Sequence, residues 1–286
     1  MITNDNFAIF ILSHMRAEKV ITYKTLIKAN YTGKIYIIID NEDEQKNLYL
    51  KKFGDKVIIF DKEKYLSLSD TMDCGGNRNI VLPARNACFD IAKSLKLDYF
   101  FEADDDYFDF EYRYPVKNVI LKTKSINDRL KSVFELFADF LDTDERIKTV
   151  CFAQGGDFIG GVGNYLKKSL INRKAMNCYL CKTSRPFKFI GRINEDTNLY
   201  TQRGIKGDLF FTVRLVSVVQ TPTQQSKGGL TDIYLELGTY QKSFYSVIGA
   251  PGAVKVSAMG DHYKRIHHSV NWDNCVPCIL SSTYKK

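Results

Sequence analysis

The chain has 286 residues, with 41 Lys+Arg against 33 Asp+Glu and a formal net charge of +8. Hydrophobic residues make up 44% and charged residues 26%, which excludes a disordered chain, and six prolines leave no Pro-rich linker. The length fits one large α/β unit or about two domains. Apolar runs such as Ile35 to Ile39 are strand-sized, well short of the about 20 residues of a membrane span.

The N-terminus, Met1 to Asn6, lacks the basic and apolar stretches of a secretory signal, so a cytoplasmic protein is expected. Phe7 to Ser13 then reads as a first strand. Lys19 to Asn30 carries Val20, Tyr23, Leu26 and Ile27 at helical spacing. Lys34 to Asp40 is a β-branched strand ending in an acid. Asp43 to Phe53 reads as a helix stopped by Gly54, and Val57 to Phe60 as a third strand. After Gly75-Gly76-Asn77, a helix is predicted over Ala84 to Lys96 and a fourth strand over Tyr99 to Ala103. That strand runs into Asp104-Asp105-Asp106. Ser125 to Leu141 reads as a helix and Thr149 to Ala153 as a fifth strand. A glycine-rich loop follows at 155 to 163; it matches neither a P-loop nor GxGxxG. The remainder reads as α+β, with Leu209 to Val219 β-patterned.

Continuous apolar strands alternating with amphipathic helices predict a mostly parallel Rossmann-type sheet flanked by helices. In such sheets ligands bind beyond the carboxyl ends of the strands, where His14, Asp40 and Asp104 to Asp106 fall. Residues 1–120 would form an α/β half ending in the acidic turn. Residues 121–286 would form an α+β half packed on it as one continuous unit.

Four constellations could carry chemistry. In an extended strand end, Asp104 and Asp106 point the same way. Two such carboxylates suit a hard divalent ion, Mg²⁺ or Mn²⁺, or else form a solvated acidic turn. Of four histidines, His262, His267 and His268 cluster late, and one could complete a metal shell. Glu195-Asp196 ahead of a helix over Thr197 to Gln202 could cap it or supply a general base. Arg85, opening the helix at Pro83-Ala84-Arg85-Asn86, could meet a diphosphate or simply start the helix. Seven cysteines, an odd count, argue against a disulfide framework. The CxxC pairs Cys178/Cys181 and Cys275/Cys278 are too far apart for a compact zinc ribbon, so buried thiols are expected.

The order of these elements resembles a GT-A glycosyltransferase nearly end to end. It is similar to the TET-associated glycosyltransferases of phages, also in Tyr234 to Gly238, Lys242 to Val247 and Arg265 to His268. The resemblance implies an inverting transferase using a nucleotide-sugar, expected to be a UDP-sugar. Asp40 would contact the nucleoside, with His14 and Arg16 lining its pocket. Arg85, Asn86, Asp104 and Asp105 would lie on the donor side. Asp104 and Asp106 would bind Mn²⁺ or Mg²⁺, Asp106 the more directly, with His268 preferred over His262 and His267 as the third ligand. Asp196, beside Glu195, would be the base. The implied acceptor is a hydroxymethylated pyrimidine in DNA, in the host cytoplasm if the protein is phage-encoded. A protein or glycan acceptor, nucleotidyl transfer and non-catalytic DNA binding are the alternatives.

A base acceptor requires a basic, phosphate-tracking surface. Lys168, Arg173, Lys174, Lys182, Arg185, Lys188 and Arg192 could supply it. Residues 1–120 hold 17 Lys+Arg and 19 Asp+Glu, net −2, whereas residues 121–286 hold 24 and 14, net +10. The surplus lies in the half that should hold a polyanionic acceptor.

Overall fold

A computed structural model describes residues 2–117, 120–158, 165, 169–221, 241–260 and 264–277. Strands β1 (Phe7–Leu12), β2 (Lys34–Asp40), β3 (Val57–Phe60) and β4 (Tyr99–Asp104) pair in parallel in the order β3-β2-β1-β4. Every residue of β1 is buried, as a strand covered on both faces requires. Leu12 is level with Ile38 and with Asp104, so β1, β2 and β4 end at one edge of the sheet.

Helices α1 (Ile21–Lys28), α2 (Lys46–Phe53), α3 (Lys62–Ser67), α4 (Leu82–Ser94) and α5 (Leu130–Asp142) follow the predicted segments, except α3, which was not foreseen. Asp61 caps α3 by accepting from the Lys64 amide at 3.1 Å. The helix expected from Asp43 begins three residues later. Asp40 and Asp43 accept instead from the amides of Glu42 and Gln45, which holds that stretch in turns.

The rest of the sheet departs from a simple parallel series. Beyond β5 (Tyr107–Val116) and β6 (Ile120–Ser125) come β7 (Ile147–Ala153), β8 (Ile171–Asn172), β9 (Tyr179–Lys182) and β10 (Leu209–Gln220). β9 inserts antiparallel between β4 and β7. β10 pairs parallel with β7, shifts register between Val213 and Ser217, then pairs antiparallel with β5. The result is a ten-stranded, largely parallel sheet to which both halves of the chain contribute. Phe134 of α5 meets Phe7, Phe101 and Phe152 across its centre, and ring contacts of this kind add to the area each buries.

Helix α6 (Glu195–Ile205) packs against α7 (Gln241–Gly249), which carries the separate hairpin β11 (Val254–Met259) and β12 (Arg265–Val270). The described cysteines are free thiols, all buried except Cys74, and Cys278 lies outside the described residues. Among the described residues no helix is long and apolar enough to cross a membrane.

Candidate active site

The carboxyl edge of the sheet divides into two groups of side chains. On the β1–β2 side, His14 Nδ1 lies 2.9 Å from Asp40 Oδ2 and 3.5 Å from Asp43 Oδ2. Burial pushes the Asp40 carboxyl up, but His14 and Lys62, 3.6 Å away, outweigh it and hold it below the usual carboxylate range. Asp105 belongs to this group. It accepts from the Ser13 hydroxyl at 2.6 Å and pairs with Arg16 at 3.2 Å, so its carboxylate is committed to the end of β1.

The second group is built around Arg85. Its position in the first turns of α4 buries it to 1% exposure, and three carboxylates surround the guanidinium. Nε bonds Glu195 Oε1 at 3.1 Å and Nη2 bonds Asp104 Oδ1 at 3.1 Å. Nη1 is 3.5 Å from Glu102 Oε2 in an ion pair without hydrogen-bond alignment. The rings of Tyr179 and Phe189 lie against the guanidinium at 5.0 and 5.7 Å. Arg85 thus ties the end of β4 to the start of α6. This is a different set of partners from the diphosphate expected from its helix position. Asn86 also faces protein: its amide donates to Ser69 and the Phe189 carbonyl and accepts from the Phe189 amide.

Glu102 escaped the sequence reading, although its spacing from Asp104 puts it on the same strand face. It is fully buried, and burial pushes its carboxyl up to about 8 despite Arg85. Asp104 is pushed up to about 6 by burial and by Asp105 and Glu195, against the opposing pull of Arg85. Asp106 is pushed to about 7 by burial and by Asp104 and Asp105. Carboxylates so crowded with negative charge gain from a cation. Their hard oxygens fit Mg²⁺ or Mn²⁺, which accept one or two carboxylates and complete the shell with water and phosphate oxygens.

Glu195 and Asp196 open α6 behind Asn194, whose left-handed backbone (φ 53°) turns the chain into the helix. The Asn194 amide donates to the Lys242 carbonyl at 2.6 Å, which anchors this turn on α7. Asp196 accepts from the Thr197 amide at 2.6 Å, and burial raises its carboxyl above the usual range. Lys174, in an ion pair with Asp157, lies close enough to oppose that rise.

Arg192 has no DNA-facing role in this arrangement. It is buried and donates to Asp73 at 2.8 Å and to the carbonyls of Gly75 and Asn77, strapping the 73–77 loop beside the Glu-Asp turn. Of the other cations expected on an acceptor surface, Lys168 lies outside the described residues, as do 159–163 of the glycine-rich loop and Tyr234 to Gly238.

The late histidines lie on β12, and His262 is outside the described residues. His267 Nδ1 is 2.9 Å from the His268 carbonyl. His267, Lys242 and Lys174 all act electrostatically on His268. Among the described residues, no three His, Cys, Asp or Glu side chains converge as a metal-binding group. Burial and these cations hold the His268 imidazole at about 4, below its ordinary 6.5. The unfolded chain therefore binds the extra proton between pH 6.5 and 4, and stability falls as pH drops through that window. Thermal unfolding at pH 7 and pH 5 is expected to show a smaller loss for His268→Gln than for the wild type.

Residues 7–229 match the family described as TET-Associated Glycosyltransferase. The chain belongs to that family. It is accordingly a glycosyltransferase, and the largely parallel sheet flanked by helices, with an acidic turn after β4, is the α/β architecture expected from the sequence. No curated protein sequence matches this glycosyltransferase. Among solved structures, a mycobacterial protein is similar at 12% identity and a TM-score of 0.47, covering 93% of this chain and 84% of its own. Mannosyl-3-phosphoglycerate synthase from Rubrobacter xylanophilus is similar at 13% identity and a TM-score of 0.43, covering 93% and 86%. At these scores neither likeness bears on the reaction.

Proposed function

We propose that this glycosyltransferase is inverting and divalent-metal-dependent. It would transfer a sugar from a nucleoside-diphosphate donor, a UDP-sugar, to the hydroxyl of a hydroxymethylated pyrimidine in DNA. One observation carries the reading: Arg85 binds Asp104 and Glu195 at once, so the acidic strand end lies beside the helix start that also carries Asp196.

The nucleoside would lie against His14 and Asp40, with Arg16 held beside them by Asp105. Asp104 and Asp106 would hold the metal ion, which when bound offsets charge on the departing diphosphate. Asp196 would accept the acceptor hydroxyl proton. The acceptor oxygen then bonds to the anomeric carbon from the face opposite the diphosphate. The carbon–oxygen bond to the β-phosphate breaks, its electron pair leaves with the nucleoside diphosphate, and the anomeric centre inverts. Arg85 and Glu102, both buried, would act as positioning residues.

The test incubates the protein with hydroxymethylpyrimidine-containing DNA and a panel of nucleotide sugars, followed by mass spectrometry of the digested nucleosides. A hexose adduct is expected that disappears in excess chelator and returns with Mn²⁺ or Mg²⁺. Transfer to a protein or oligosaccharide but never to DNA would assign the other acceptor class. Undiminished transfer in chelator would remove the metal from the mechanism.

A further inference from the structure

The amino-terminal edge of the sheet, opposite the carboxylates, holds an open cleft of about 1060 Å³. It is lined where β7 and β10 begin, where β9 ends and where α6 ends. Six cationic side chains face it: Arg146, Lys148, Arg173, Lys182, Arg185 and Lys206. Glu145 and Asp208 share the lining. Part of the positive charge is answered locally, since Asp142 pairs with Lys182 and Arg185, Asp144 with Arg146, and Asp208 with Lys148. Arg173 and Lys206 have no carboxylate partner among the described residues, and Lys206 is exposed. Arg185 is rigidly placed, donating to the carbonyls of Leu141 and Asp144.

We infer that this cleft is a second nucleic-acid contact, gripping the phosphate backbone of the acceptor duplex away from the modified base. The inference rests on the DNA-acceptor reading above. Helix α6 connects the two places: Glu195 and Asp196 begin it, and Gly204 and Lys206 at its far end line the cleft. Its 11 residues span about 16 Å at 1.5 Å per residue. Along a duplex that is about five base pairs at 3.4 Å each. Cations spread over an open cleft suit a repeating chain of phosphates better than one compact anion. The placement also gives the acceptor-half surplus of charge a structural location.

The test compares the wild type with Lys206→Glu/Arg146→Glu, two exposed positions on the cleft and away from Asp104 and Glu195. A milder Lys206→Gln controls for folding, and donor hydrolysis without acceptor should be unchanged in all three. Anisotropy of a fluorescein-labelled, unmodified duplex of about 30 base pairs should show at least about tenfold weaker binding by the double variant. Its log–log salt slope should be shallower by about 2. KM for a long modified duplex should rise in parallel. An acceptor of about eight base pairs centred on the target, too short to reach the cleft, should be glycosylated equally by both proteins. Wild-type affinity and salt slope in the double variant would overturn the inference. If the wild type glycosylates no DNA while the double variant still loses duplex affinity, the acceptor reading falls and the cleft stands.

Discussion

Asp196→Asn is expected to retain the fold and lose about 10² to 10⁴ in kcat, the range supplied by a positioned proton acceptor. The substitution is nearly isosteric. An asparagine carbonyl can still accept from the Thr197 amide, so the start of α6 keeps its geometry. What disappears is the basic oxygen. Burial already holds the Asp196 carboxyl above the usual range, nearer to where a base works at neutral pH. Neutralising it also removes the cost of burying charge, so thermal stability should be unchanged or slightly higher. Steady-state kinetics with saturating donor, alongside donor KM, read the effect. A kcat within a few-fold of wild type would remove Asp196 from the base role.

Arg85→Met is expected to cost about 3–5 kcal/mol of stability near neutral pH, the usual price of stripping one partner from a buried ionic cluster. Methionine fills similar space but leaves Glu102, Asp104 and Glu195 facing one another without a cation. These carboxyls already sit high, and without Arg85 they rise further. In the folded variant they then bind more protons than in the unfolded chain. Stability therefore falls as pH rises through their folded values, and the deficit should be larger at pH 8 than at pH 5.5. Arg85→Lys should recover little, because one ammonium cannot span three carboxylates. Urea unfolding at the two pH values checks both statements. An equal deficit at each would show that packing against Tyr179 and Phe189, not charge, explains the loss.

These two predictions differ in how far the sequence leads to them. Asp196 could be named because the Glu195-Asp196 pair before a helical segment matches the family the sequence resembles; the pair alone fits a helix cap equally well. Arg85 could be placed at a helix start, but its partner Glu195 is 110 positions away. Only the closed fold brings the first turns of α4 and the start of α6 within reach of each other. Glu102 hid inside an apolar strand where nothing local marks an acid as functional. Arg192 resembled surface charge, because the carbonyls it binds come from a loop more than 100 positions earlier. His268 depends on distant segments in the same way: Lys174 and Lys242, far apart in sequence, both act on it in the fold.

By itself the sequence determined the parallel core β1 to β4, the edge of the sheet where chemistry collects, and the acids that stand there. Strands buried on both faces must be continuous apolar runs, and polar residues at their ends are then conspicuous. Tertiary structure decided the antiparallel insertion of β9, the crossing of β10 from β7 to β5, and the grouping of three carboxylates on one arginine. Those outcomes depend on which distant segments exclude water together. A charge becomes a buried partner or a surface residue only when the chain has closed around it.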